Sequence, residues 1–347
     1  MKDSPRRPTL ATIARQLGVN PSTVSRALSP DPTVRRTVSR ATIDRVTRAV
    51  DELGYVPNQA GASLRTGRSR ALGVLVPHTS EWVVGTVYEG IDSTAADLGY
   101  VTFVANTYDD EKTRESRIRR LSQWGVDAIL YADSKLGADD MEAVNGVPCW
   151  PIIRRGITDH AFRIDDDLGG RLVARHLVES GFRDAAVICG PRDMSTFRDR
   201  TVGFLDEYTG LGGRVEAQDI VHSDLTVESG RREAGRLLDS TRPAAIFALH
   251  DPLALGTYVA ASERRLRIGS DLGVVGYNDI ELSAQMPVPL TSVNWDCHAL
   301  GVAIAKNAIA RIEGRPETAP SPAPTLVPRA STGFTESEHS IGRTTNS

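Results

Sequence analysis

The sequence predicts two unlike bodies in one chain, a small all-α helix-turn-helix head and a larger α/β body of two parallel-sheet subdomains. Charge is the first observation: residues 1–70 hold 13 Lys or Arg against 5 Asp or Glu, a net of +8, while the rest hold 28 against 39, a net of −11. The second is periodicity. The head repeats its apolar residues at helical spacing only, whereas from Leu72 short β-branched runs alternate with helical patterns, the mark of parallel strands covered by helices. The third is length, since 347 residues exceed one ordinary domain and the roughly 250 left for the body exceed one such sheet. Two similar halves facing each other across a cleft fit both length and pattern.

In the head, Leu10, Ile13, Ala14 and Leu17 form the stripe of a first helix with Thr9 placed to cap it and counted among the expected DNA contacts. Gly18 closes that helix, Asn20 caps the next, and Pro21 sits in its first turn, where a missing N–H is no loss. Ala14, Gly18 and Val24 supply the small residue, the turn residue and the buried apolar residue that a helix-turn-helix needs. The second helix, from Pro21 to about Leu28, turns outward Pro21, Ser22, Thr23, Ser25 and Arg26. These are short hydrogen-bonders and one guanidinium able to bond guanine O6 and N7 together, so a major groove or its phosphates are the expected partner. Ile43, Val46, Val50 and Leu53 mark a third helix ended by Gly54.

The run from Thr9 to Ala14, then Val24-Ser25-Arg26-Ala27-Leu28, then Leu53-Gly54-Tyr55-Val56-Pro57-Asn58 closely resembles the lac repressor (LacI-type) family of bacterial transcription regulators. The resemblance implies that Asn58 opens a hinge helix entering the minor groove, that Leu64 wedges the central base step, and that Arg65 is the neighbouring basic contact. Physics agrees with a conditional helix: Asn58 to Arg65 spans about two turns and contains Gly61 and Ser63, well short of the roughly 12 residues at which isolated helices become marginal. The sequence departs from the family in a longer connection, residues 27–37, and in Gly61 where alanine is common.

In the body, strands are predicted at Leu72–Pro77, Tyr100–Asn106, Ala128–Ala132, Cys149–Ile153, Ala185–Gly190, Ala244–Leu249 and Leu272–Tyr277. The segments Gly190-Pro191, Arg198-Asp199-Arg200, His250-Asp251, Val275-Gly276-Tyr277-Asn278-Asp279 and Pro289-Leu290-Thr291-Ser292-Val293 are similar to the effector domain of the same family, which is periplasmic-binding-protein-like. That resemblance implies a DNA-binding domain at 8–56, a hinge at 57–70 and an effector-binding domain at 71–333. Within the last, it implies an N-subdomain of 71–164 and 295–324, a C-subdomain of 165–294 and 325–333, and three crossings between them; 334–347 read as a disordered tail. Carried over position by position, Arg200 is the arginine expected to grip the effector, with Thr196, Arg198, Leu225, His250, Asp251 and Asn278 as further pocket positions. Trp82 is expected to flank the ligand and Arg154 stands where an aspartate is frequent. Arg154, Arg198 and His250 together make the expected pocket more basic than a hexose needs, so a sugar acid or sugar phosphate is weighed against a neutral sugar, which stays the favoured class.

Other classes find little support. No phosphate-binding Gly-rich loop, nucleophile elbow or zinc-binding His motif is present, so no enzyme and no cofactor is expected. Asp165-Asp166-Asp167 reads as a helix start rather than a metal site. Cys149, Cys189 and Cys297, each in apolar sequence, read as buried free thiols. With no apolar run of about 18 residues and no leader-like segment, a cytoplasmic chain is expected. The reading is therefore a homodimeric repressor of a palindromic operator, controlled by a sugar or sugar derivative, with a cytoplasmic sugar-binding protein or an α/β enzyme as the alternatives.

Overall fold

A computed structural model describes residues 8–29, 32–55, 67–133, 143–154 and 162–333. The chain divides into two compact units, Met1–Ser69 and Arg70–Ser347. In the first, α1 (Leu10–Leu17), α2 (Pro21–Ala27) and α4 (Arg40–Leu53) surround a core of Ile13, Ala14, Val24, Ala27, Val46, Ala49 and Tyr55. The longer connection after α2 contains a helix the sequence pattern did not reveal, α3 (Pro32–Arg35), whose four residues bury nothing and so carry no apolar stripe. Arg45 donates to the Leu17 carbonyl at 2.9 Å, tying α4 to the end of α1.

The second unit contains two sheets. The first has the order β2 (Val101–Asn106), β1 (Ala71–Val76), β3 (Ala128–Tyr131), β5 (Val147–Pro151), β4 (Ala143–Val144), parallel except for the β4–β5 pair. The second has the order β11 (Thr325–Val327), β10 (Thr291–Asn294), β9 (Gly273–Tyr277), β8 (Ala245–Ala248), β6 (Ala185–Cys189), β7 (Ile220–His222), parallel except at β10–β11. All seven strands expected from the sequence are present, with ends shifted by a residue or two. The unforeseen ones have physical reasons: β4 and β7 have two and three residues, and β10 reads Thr-Ser-Val-Asn, fully buried at three positions yet without an apolar run.

The helices of the first lobe are α5 (Trp82–Asp97), α6 (Glu111–Gln123) and α12 (Cys297–Ile312); those of the second include α7 (Asp166–Glu179), α8 (Ser195–Gly210), α9 (Val227–Ser240), α10 (Asp251–Glu263) and α11 (Glu281–Gln285). Because α12 follows β10 of the second sheet yet packs on α5, and β11 then returns to β10, the chain runs between lobes three times. The Pro-rich connector before β11 has no regular structure but is pinned: Asn307 donates to the Ala319 carbonyl at 2.7 Å and accepts from its N–H at 3.0 Å.

Three helix pairs cross at facing glycines, where backbones come into contact. A Cβ on Gly301 would lie 2.1 Å from the Val87 carbonyl, and one on Gly90 2.3 Å from that of His298, at the α5–α12 crossing. Gly170 and Gly203 do the same for α7 and α8, and Gly230 and Gly256 for α9 and α10. No side chain other than hydrogen fits at such distances.

The edge strand β2 carries exposed apolar residues. Val101, Phe103 and Val104 are exposed on it, and Phe103 meets the exposed Trp124 edge-on at 6.0 Å. The three cysteines are free and buried. Among the described residues no helix is long and apolar enough to cross a membrane.

Candidate functional site

The head is built for presentation. The Thr9 hydroxyl accepts from Thr12 N–H at 3.2 Å while Thr12 reaches back to Thr9 N–H, so both ends of a capping box are met by threonines. Gly18 takes φ +66°, the left-handed conformation that turns the chain. Asn20 then accepts from the Ser22 N–H at 2.9 Å and from its hydroxyl at 2.8 Å, fixing the start of α2. Pro21, Ser22 and Arg26 are exposed; Thr23 and Ser25 are half-buried. Arg26 donates from Nε to the Ser22 carbonyl at 3.2 Å, which leaves paired recognition to its two terminal nitrogens. Asn58, Leu64 and Arg65 lie outside the described residues.

The second unit holds a cavity, open to solvent on one side, between its two sheets. Its polar lining is Glu81, Arg154, Thr196, Arg200, His250 and Asn278; Leu225, Phe197 and Trp295 supply apolar walls. The positions follow from topology, since these residues sit at or just beyond strand ends and at helix starts, where parallel sheets leave their crevice. Backbone strain gathers in the same place: Ile153 has φ +66°, Asn278 +105°, Asp279 +50° and Asp296 +48°, all outside the ordinary range for side-chain-bearing residues. Asp279 is held by Arg329 at 2.6 Å and by Asn294 at 3.1 Å, which tie the ends of β9, β10 and β11 together.

Arg200 is buried and heavily engaged. It donates from Nε to Asp166 at 2.7 Å and from one terminal nitrogen to the Leu249 carbonyl at 2.8 Å, and its guanidinium carbon lies 3.6 Å from the Tyr277 ring centroid. The three consecutive aspartates therefore go three ways: Asp165 caps α7 through Leu168 N–H, Asp166 pairs with Arg200, and Asp167 pairs with Arg171 at 2.6 Å. Arg154 donates to Asp109 at 2.6 Å. Asn278 accepts from the Trp295 indole N–H at 3.0 Å, while its amide nitrogen and both ring nitrogens of His250 are buried without a hydrogen-bond partner among the described residues. Burial alone would push the Glu81 carboxyl up, but His250, Arg154 and His78 outweigh it and hold Glu81 below the ordinary range.

Six positions singled out in the sequence thus line the cavity: Arg154, Thr196, Arg200, Leu225, His250 and Asn278. Three do not. Arg198 lies two residues from Arg200, on the opposite side of α8, and pairs with Asp199 at 3.0 Å on the surface. Trp82 is 43 % exposed, while Val83 and Val84 behind it face the cavity. Asp251, the first residue of α10, turns inward to accept from Ile280 N–H at 2.9 Å, Ser283 at 3.1 Å and Ser292 at 2.8 Å. Sequence reasoning missed Glu81 and Trp295; the second carried a signal, a tryptophan just after a strand end in a chain with only four.

Asp251 has a measurable consequence. Burial pushes its carboxyl up to about 6, so its contribution to stability is fully present below the ordinary value and lost as pH rises through about 6. Acidification from about pH 7.5 to about 5 should raise the urea midpoint through this group. Asp251→Asn should remove that gain, whereas Asp251→Ala should cost about 2–4 kcal/mol by orphaning three donors. An identical pH response in wild type and Asp251→Asn would refute the assignment.

Comparison with known proteins covers nearly the whole chain. The family model described as bacterial regulatory proteins, lacI family, matches residues 9–58, and that of a periplasmic binding protein-like domain matches 174–332. The HTH-type transcriptional repressor PurR of Actinobacillus pleuropneumoniae is 28 % identical over 310 residues, covering 88 % of this chain and 91 % of its own. The ribose operon repressor of Escherichia coli is 29 % identical over 302 residues, covering 84 % and 89 %. Among solved structures, the lac repressor bound to ONPG in the repressed state superposes with a TM-score of 0.85 at 25 % identity over 94 % of this chain and 100 % of that one. The complex of the transcriptional regulator CelR with cellobiose gives 0.69 at 28 % identity over 94 % and 100 %.

Proposed function

This chain belongs to the lac repressor (LacI-type) family of bacterial transcription regulators, a sequence-specific DNA-binding regulator under effector control and not an enzyme, and on that premise we propose that it represses a palindromic operator in response to a sugar or sugar derivative held in the cleft between its two sheets. The carrying observation is the set of buried, unpartnered polar atoms facing that cleft, the Asn278 amide and the His250 imidazole, beside Arg154, Thr196 and Arg200. Buried polar groups without partners are expensive unless something binds them, and hydroxyl-rich ligands meet mixed donors and acceptors of this kind. The CelR–cellobiose complex and the ribose operon repressor support the sugar class.

On the DNA side, Ser22, Thr23, Ser25 and Arg26 are the proposed base and phosphate contacts of α2, with Asn58, Leu64 and Arg65 as the hinge contacts. The protein works as a dimer, and the exposed apolar face of β2 with Trp124 suits a second copy of this chain. A ligand shifts operator affinity only by its different affinity for two arrangements of the lobes, commonly about 1–3 kcal/mol, and the operator must change ligand affinity by the same factor.

Operator selection followed by fluorescence titration tests this reading. Log affinity should fall linearly with log salt at about 0.9 per phosphate neutralised. Arg26→Ala should cost about 1–3 kcal/mol on the preferred operator and relax the choice at one base pair per half-site. A flat salt dependence would remove the head as the DNA-binding element; equal losses on operator and random DNA would make Arg26 a phosphate contact.

A further inference from the structure

Glu81 and His250 reach the cavity from opposite lobes. Glu81 stands at the start of α5 in the first lobe, His250 at the end of β8 in the second, and the Glu81 Oε1 to His250 Nε2 distance is 3.7 Å. That is too long for a direct hydrogen bond, yet close enough for one hydroxyl oxygen to contact both. His250 is 7 % exposed, and Glu81 makes no side-chain bond to the helix it precedes. Among the described residues the two groups thus face each other across the cavity, and neither His250 ring nitrogen has a hydrogen-bond partner.

The charges around the cavity bear on which ligand it takes. Arg154 is matched by Asp109 at 2.6 Å, Arg200 by Asp166 at 2.7 Å, and Arg198 pairs with Asp199 outside the lining. Asp133 is buried with Arg114 at 3.8 Å and does not line the cavity, and Asp251 is directed to its own three donors. His78, three residues before Glu81, is exposed. Among the described residues, Arg154 and Arg200 beside the cavity each have their own carboxylate, and Glu81 is an anion that lines the space. The basic pocket expected from Arg154, Arg198 and His250 is thus cancelled by acids that lie far away in the sequence.

We propose that Glu81 and His250 form a cross-cleft pair that selects an uncharged polyhydroxyl ligand, one whose hydroxyl donates to Glu81 and also meets His250, and that excludes sugar acids and sugar phosphates. Asn278, through its unpartnered amide nitrogen, supplies the complementary donor on the second lobe. Because one hydroxyl touches both lobes, the same contact that selects the ligand also draws the lobes together. The proposal rests on the sugar reading of the cleft.

Calorimetric titration of the full chain with matched pairs separates the two: D-glucose and D-glucuronate, D-galactose and D-galacturonate, D-ribose and D-ribose 5-phosphate. The neutral member of at least one pair should bind, with its anionic partner weaker by about tenfold or more. In Glu81→Gln the gap should narrow to under about threefold because the anion gains affinity. Glutamine keeps the shape and a hydrogen-bonding oxygen, and an unchanged melting profile checks the fold. His250→Ala should weaken the neutral sugar. An anion binding as tightly as its neutral partner, or a gap unchanged in Glu81→Gln, overturns the pair while the sugar reading stands. Absence of binding by every member overturns the sugar reading and the pair with it.

Discussion

Replacing Arg200 with alanine is expected to cost the α/β body about 3–5 kcal/mol, because it leaves the buried Asp166 carboxylate without its counter-charge. Burial already pushes the Asp166 carboxyl up, so the orphaned group takes up a proton or draws in water. The Leu249 carbonyl loses its donor as well, and Tyr277 loses the cation stacked on its face. The double replacement Arg200→Met with Asp166→Leu should recover much of the loss, since a matched apolar pair removes both desolvated charges. Urea unfolding of the four proteins of this cycle gives the coupling directly. A single-mutant loss under about 1 kcal/mol, or strict additivity, would show that the pair contributes no net stability. The consequence for ligand studies is that loss of response in Arg200→Ala mixes binding with folding, and Glu81→Gln is the cleaner probe.

Gly301→Ala is the second large effect. The added methyl would stand 2.1 Å from the Val87 carbonyl oxygen and 3.0 Å from the Gly90 Cα, so α12 must move off α5 along its whole crossing. Overpacking in a close-packed interior commonly costs about 1–3 kcal/mol, and a backbone-on-backbone contact places this change at or above about 3. Tryptophan fluorescence during unfolding reads it, Trp295 being buried just before α12. An unchanged midpoint would mean that the two helices separate freely. Gly125→Ala would be the wrong control, since Gly125 has φ +75°; Gly210, the last residue of α8, with nothing within 4 Å of where a Cβ would stand, should tolerate alanine.

Much of the fold was legible because its signals are local. The stripe Leu10, Ile13, Ala14, Leu17 and the caps Thr9, Gly18 and Asn20 each need only neighbours in sequence, and each is where the pattern put it. The seven apolar strands were equally visible. The cavity was legible only in part, because a side chain's direction depends on partners far along the chain. Arg198 and Arg200 are indistinguishable as text, yet one faces solvent and the other is buried against Asp166, 34 residues earlier. Glu81 gave no signal at all: an acid before a helix reads as an ordinary helix start, and only the fold brings His250 to it. The charge of the pocket was misjudged for the same reason, as Asp109 and Asp166 neutralise arginines 45 and 34 residues away.

The glycine crossings bear on how a signal can move through the body. Helices held at backbone contact cannot slide or part without losing dispersion contacts along their length, so each lobe behaves as a stiff plate rather than a deformable one. Strain introduced at the cavity has little room to dissipate inside either plate and is delivered to the three strips of chain that join them. Those strips carry the left-handed residues Ile153 and Asp296, with Asn278 and Asp279 beside them. A ligand bridging Glu81 and His250 would therefore be felt first at those strips, and only through them by the rest of either lobe.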